Sequence, residues 1–310
     1  MTLYTMGEYR QSTIKSNLHL RARLTQSIRI FFIGHGYLEV ETPIRIPAPA
    51  PEAFIDAEAS GSWFLHTSPE LCMKRLLAAG FSKIFQICKC FRKDEQGRKH
   101  IPEFTMLEWY TVGQNYVDMM DQCEQLLLFI LEEFDYGNSL EYQGVHINFK
   151  APWSRLSVSD AFNQYASIPL NKALAKNCFE EVMVDEIEPR LGHNPVFLYD
   201  YPACLSALAR MKPDDSSLAE RFELYIGGLE LCNAFSELTD PVEQRIRFMS
   251  EQDQRRKMKK NIYPMPDSFI SCLHDLPSAA GNALGIDRLV MLFTDSPCID
   301  EVVTFIPEEL

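Results

Sequence analysis

With 310 residues, of which 46% are hydrophobic and 24% charged, the chain has ordinary globular composition and is long enough to bury a full core. No apolar run approaches a membrane span, and a net charge of −13 argues against avid binding of long nucleic acid through its phosphates. Nine scattered cysteines fit a reducing compartment better than a disulfide framework, and the opening residues MTLYTMGEYRQSTIK lack the apolar core of a signal peptide, so a cytoplasmic protein without membrane contact is expected.

In chain order, residues 16–33 place Leu18, Leu24, Ile28, Phe31 and Phe32 on one stripe, which predicts a helix ended by Gly34-His35-Gly36. Residues 37–43, YLEVETP, predict a strand stopped by proline. Residues 47–53 form a Pro/Ala connector too short to separate domains, and an apolar run resumes at 63–65. A helix is predicted over 71–79, with Ser68 as N-cap, Pro69 at the first helical position and Glu70 in the first turn.

Residues 85–110 read FQICKCFRKDEQGRKHIPEFTMLEWY. Two alternating runs flank a polar loop at 93–102 that contains Gly97 and Pro102. Gln86, Cys88, Cys90 and Arg92 share one face of the first run. Phe104, Met106, Glu108 and Tyr110 share one face of the second. Such a hairpin suits a floor that holds an anion beside a flat ring and a cation. Cys88 and Cys90 have no second Cys/His pair at zinc spacing and are read as small buried residues.

Residues 115–134 predict a helix capped by Asn115 with one buried face. Residues 140–215, interrupted by six prolines, predict a helical insertion and a return strand near 196–201, without chemistry. Gly227-Gly228 predicts a two-residue hairpin that sets Tyr225 opposite Glu230 and puts Glu223 on the same face as Glu230. Two carboxylates on one face repel unless a cation lies between them, and a divalent metal bridging phosphates is the obvious one. Strict alternation turns Asn233 away from Glu230, so a bulge is required if both face the site. The basic run at 245–260 predicts a solvated helix face. In 281–293, GNALGIDRLVMLF, small residues lead into a helix carrying Arg288 in its first turn, where a cation serves an anion site better than helix stability.

The helix–glycine–VETP unit, the FR…HxPEFTMLEWY hairpin and GNALGIDR resemble, in order and spacing, motifs 1, 2 and 3 of class II aminoacyl-tRNA synthetases of the lysyl type. The resemblance covers nearly the whole chain after residue 16. It implies an α+β fold, an antiparallel sheet flanked by helices, in one catalytic domain over 1–310 with a helical insertion at about 140–215. It also implies a homodimer formed through the motif 1 segment. ATP is expected on Arg92, Lys93, Asp94, His100, Phe104, Glu230, Leu231, Gly285 and Arg288, with Arg92 and Arg288 as catalytic cations and Mg²⁺ on Glu223 and Glu230. The amino acid is expected on Ser68, Pro69, Glu70, Glu108, Tyr110, Asn233, Glu237 and Ala283.

Motif 1 begins within the first 45 residues, so the anticodon-binding barrel of the lysyl enzymes is expected to be missing, and tRNA is an unlikely partner. Those enzymes tend to carry Ala in place of Ser68 and Gly in place of Ala283. In both respects the chain resembles the ligases that attach (R)-β-lysine to a lysine of elongation factor P. The expected partners are therefore elongation factor P and lysine or β-lysine. Two positions depart from the usual motif: Asp94 stands where Glu is common, and Ile101 where Asn is common. Two other readings fit the same residues, a free-standing enzyme charging an RNA and a non-catalytic regulatory paralogue.

Overall fold

Eight strands form the main sheet of the computed structural model, which describes residues 9–310; the first eight residues of MTLYTMGEYRQSTIK lie outside the described ones. In chain order they are β1 (Leu38–Glu39), β2 (Lys83–Phe91), β3 (Glu103–Val112), β4 (Ser154–Ser157), β5 (Val196–Pro202), β6 (Leu218–Ile226), β7 (Leu229–Ser236) and β8 (Ala279–Gly285). Their spatial order is β1-β2-β3-β8-β7-β6-β5-β4. Neighbours from β2 through β5 are antiparallel, and β1 and β4 add in parallel at the two edges. The expected α+β class and antiparallel sheet are what the structure shows.

The helices that pack around the sheet include α1 (Lys15–Gly34), α2 (Glu70–Ala78), α3 (Tyr116–Glu133), α4 (Pro241–Lys257) and α5 (Ile286–Phe293). One sheet face is sealed by α1, α3 and α5. Leu24, Ile28 and Phe32 of α1 join Phe85 and Trp109 in the core, where the Phe32 and Phe85 rings stack with centroids 5.0 Å apart. Each such aromatic contributes roughly 1.5–3 kcal/mol by leaving water. Helix α3 begins where expected: Asn115 accepts from the N–H groups of Val117 and Asp118, and Asp118 accepts from Asn115 N–H at 2.8 Å, a reciprocal capping box.

Three expectations change. The strand read at 37–43 shrinks to Leu38–Glu39, because past Val40, whose N–H donates to Phe85 O, the chain has no neighbouring strand in the sheet. The insertion at 140–215 is not purely helical. It opens with a two-stranded hairpin, Ser139–Tyr142 and Val145–Asn148, and β4 joins the main sheet before short helices fill 158–190. Finally, α4 is not simply a solvated basic helix. Arg255 is fully buried, 2.5 Å from Asp56 and donating to the carbonyls of Glu52 and Ile55, so α4 anchors the Pro/Ala connector.

Candidate active site

The open face of the sheet carries a cleft in two halves that share Ile55, Arg92, Met106, Asn233 and Ala283. Antiparallel register builds its floor. Gln86, Cys88 and Cys90 of β2 lie opposite Glu108, Met106 and Phe104 of β3, and Ala283 of β8 lies between Glu108 and Asn233.

Arg92 sits at the junction. Its backbone N–H donates to Pro102 O at 2.9 Å, and its guanidinium lies 5.1 Å over the Phe104 ring and 3.7 Å from Glu95. Its Nε is buried without a hydrogen-bond partner. A buried donor left open at the meeting point of two half-sites is what a shared anion requires.

One half is rich in acids. Ser68 Oγ and Tyr110 OH donate to the two oxygens of Glu108, at 2.5 and 2.9 Å. Burial pushes the Glu108 carboxyl well above the usual carboxylate range, and the nearby Glu70 charge pushes it further. The hydroxyl of Ser68 also accepts from Glu70 N–H at 2.9 Å, so it covers the start of α2 as a cap does, although Pro69 is the residue flanking the helix. Lys74 is fully buried, with Nζ 2.5 Å from Glu70 Oε1 and in contact with Glu237. Burial pushes Glu237 up to about 8, against the pull of that ammonium.

The other half is lined by His100, Phe104, Glu223, Glu230, Leu231, Gly285 and Arg288. Arg288 Nη1 donates to Glu230 O at 2.8 Å and lies 3.3 Å from its carboxylate, and Nη2 meets His100 Nε2 at 2.7 Å. Burial, aided by the Arg288 charge, lowers the His100 pKa, which suits a neutral ring accepting from the guanidinium. The required bulge is present. Tyr225 pairs with Glu230 and Leu224 with Cys232, so Leu231 is the extra residue, and Glu223 falls opposite Asn233. Glu223 is held by Arg221 at 2.6 Å, Tyr201 at 2.5 Å and Tyr225 at 2.8 Å. Burial raises the Glu223 pKa and Glu230 adds to it; Glu188, within 3.4 Å of the Tyr225 hydroxyl, is raised by burial and by both.

A family profile described as tRNA synthetases class II (D, K and N) matches residues 3–309. The chain belongs to that family. It is 40% identical over 310 residues to an elongation factor P--(R)-beta-lysine ligase of Baumannia cicadellinicola subsp. Homalodisca coagulata, covering 93% of this chain and 94% of the relative. It is 34% identical over 318 residues to a lysine--tRNA ligase of Campylobacter jejuni and 36% identical over 319 residues to one of Carboxydothermus hydrogenoformans. These alignments take in 94% of the chain but only 64% and 65% of the two tRNA ligases, so the chain spans less than two thirds of those relatives.

Against this class II frame, the cleft gathers Ser68, Glu70, Arg92, Glu108, Tyr110, Asn233 and Ala283 in one half and the seven residues named for the other half opposite them. Four expected residues do not line it. Lys93 and Asp94 are exposed on the loop, where Lys93 N–H is tied to Asp56 O and Asp94 takes a left-handed φ of +61°; Glu95 lines the cleft in their stead. Pro69 lies outside the lining, and Glu237 is sealed beneath Gly281 and spent on Lys74.

Residues that the motifs do not single out also reach the site. Glu52 of the connector, Arg221 of β6 and the 205–209 segment line the acidic half, and Glu188 of the insertion stands behind Glu223. The insertion therefore supplies part of the wall of the cleft. The Cys88–Cys90 pair gains a neighbour too: His66 Nε2 lies 3.9 Å from both sulfurs. That ring nitrogen is held by Lys89 O at 2.7 Å, so the cluster is a packed thiol pair rather than an open metal cage.

Proposed function

We propose that the protein is an ATP-dependent ligase that adenylates a diamino acid, (R)-β-lysine or lysine, and transfers it to a lysine side chain of elongation factor P. The observation that carries this reading is Arg92, whose open Nε stands where an acid-lined half-pocket meets a half-pocket lined by Phe104 and Arg288. The near full-length match to a relative of that name supports elongation factor P as the acceptor.

A substrate carboxylate and the α-phosphate of ATP would both be anions at Arg92, which neutralises them as oxygen attacks phosphorus and pyrophosphate leaves. Positioning and charge compensation account for most of such catalysis. Phe104 offers a flat apolar face to adenine. Arg288, now shared by Glu230 and His100, would turn part of that fork to the γ-phosphate. Glu223 and Glu230 fit a magnesium ion: an oxygen-only set of mutually repelling carboxylates, with Glu188 behind them. Bound there, Mg²⁺ supplies neutralisation of the polyphosphate charge. In the second step the acceptor amine attacks the acyl carbon and AMP departs.

Substrate ammonium groups would sit among Glu70, Glu108 and their hydroxyl partners, and elongation factor P would present its lysine at the cleft mouth. ATP–pyrophosphate exchange with α- and β-lysine in parallel, followed by the mass of elongation factor P, tests this. Exchange with at least one isomer and a single lysyl mass increment are expected, both falling by 100-fold or more in Arg92→Ala. A wild-type protein that exchanges with neither isomer sinks the reading. The tRNA ligase identities favour one rival, and label passing from amino acid to tRNA instead of protein would establish it.

A further inference from the structure

We infer that Glu52, on the Pro/Ala connector, receives the substrate ammonium nearer the carboxyl end and thereby helps distinguish one lysine isomer from another; this rests on the function proposed above. The other pocket carboxylates already have partners. Glu108 accepts from Ser68 and Tyr110, and Glu70 is paired with Lys74. Glu52 lines the same half-pocket, and its carboxylate takes part in no hydrogen bond or salt bridge among the described residues.

Its placement is built. Arg255, buried at the base of α4, donates to Glu52 O at 2.7 Å and to Ile55 O at 2.9 Å. Glu251 accepts from Ala53 N–H at 2.7 Å, and the Tyr263 hydroxyl accepts from Ala57 N–H at 2.8 Å. A segment tied at Glu52, Ala53, Ile55 and Ala57 by α4 and Tyr263 holds a side chain far more firmly than a free loop does.

The charges around Glu52 indicate what it lacks. Burial raises its carboxyl to about 7, Glu70 and Glu251 push the same way, and Arg92 and Arg221 pull only partly back. An ammonium beside Glu52 and Glu70 relieves that repulsion, and Glu52 lines the same half-pocket as Arg92, the guanidinium proposed above to take the substrate carboxylate. Moving the amine by one carbon, as between α- and β-lysine, changes its distance to Glu52 while leaving the distal amine in place.

The test is Glu52→Gln, which keeps the shape and removes the charge, with Glu52→Asp as the conservative variant. In pyrophosphate exchange Glu52→Gln should raise KM for the preferred isomer at least tenfold, leave KM for ATP within twofold, bring the KM values of the two isomers closer, and be partly rescued by Asp. Unchanged amino-acid KM, or equal losses on ATP, would overturn the inference. If the wild type shows no exchange, the function reading falls, and calorimetry with the two lysines decides this one: binding weakened by Glu52→Gln upholds it, while equal binding or none overturns it.

Discussion

Cys88 and Cys90 show how far one contact can move a side chain from its ordinary chemistry. The Cys90 thiol, 4.0 Å away, supports a thiolate at Cys88, and with His66 beside it the Cys88 pKa comes down to about 6. Burial pushes Cys90 the other way, well above the usual thiol range. Cys88 therefore carries more thiolate at neutral pH than an ordinary thiol does, and the thiolate is the nucleophile. Iodoacetamide should label Cys88 ahead of the other cysteines, with a midpoint below the usual thiol range, and Cys90→Ala should move that midpoint up. Peptide mass spectrometry over a pH series reads both. Residue chemistry of this kind is only half legible in the sequence. Arg92, Glu108 and Arg288 stand in recognisable strings, whereas His66 meets the two thiols only after the segment that follows residues 63–65 packs against β2. Glu52 is hidden for a similar reason: a carboxylate in PAPAPEA has no periodicity to betray it, and its anchor, Arg255, lies some two hundred residues away.

At the scale of elements, the two hairpins are legible and their irregularities are not. Gly227 and Gly228 take positive φ, +61° and +74°, which is what the Gly-Gly signal implies for a two-residue turn. The bulge at Leu231 leaves no trace, because an apolar residue in an apolar strand looks the same with or without a partner. The stretch 279–285 is similar. Its small residues read as a lead-in to a helix, yet they form β8, a central strand between β3 and β7. Smallness there serves packing. A Cβ at Gly281 would stand 2.2 Å from the Tyr110 ring and 2.6 Å from Glu237 Oε1. Gly281→Ala should cost about 1–3 kcal/mol in a urea melt as the strand and ring are forced apart. It should also raise KM for the amino acid, because Tyr110 holds Glu108. A melt identical to wild type would mean that the floor yields freely.

For the whole molecule, the motif 1 segment leaves apolar side chains facing outward. Ile30 is 57% exposed, Ile33 59%, and Leu38 50%, all on α1 and the adjoining β1. Clustered exposure of that kind is costly in water and suits a partner surface. It is where the synthetase resemblance expects a second copy. Sedimentation should give a dimer for the wild type and a monomer for Ile33→Glu; a monomeric wild type would refute the expected dimer. The insertion is the least legible part at this scale, because its short, proline-broken segments gain their roles from where they return to the sheet. Glu188 meets the Tyr225 hydroxyl that also holds Glu223 only through that return.

Arg92 is common to both halves of the cleft, so the nucleotide and amino acid proposed to meet there would be thermodynamically interdependent. Whatever the nucleotide does to the standing of that guanidinium is felt by the amino acid, and linkage requires the converse by an equal factor. Occupancy of either chamber then works as a check on the other, and an incorrect amino acid would be disfavoured twice, once through its own contacts and once through weakened retention of the nucleotide.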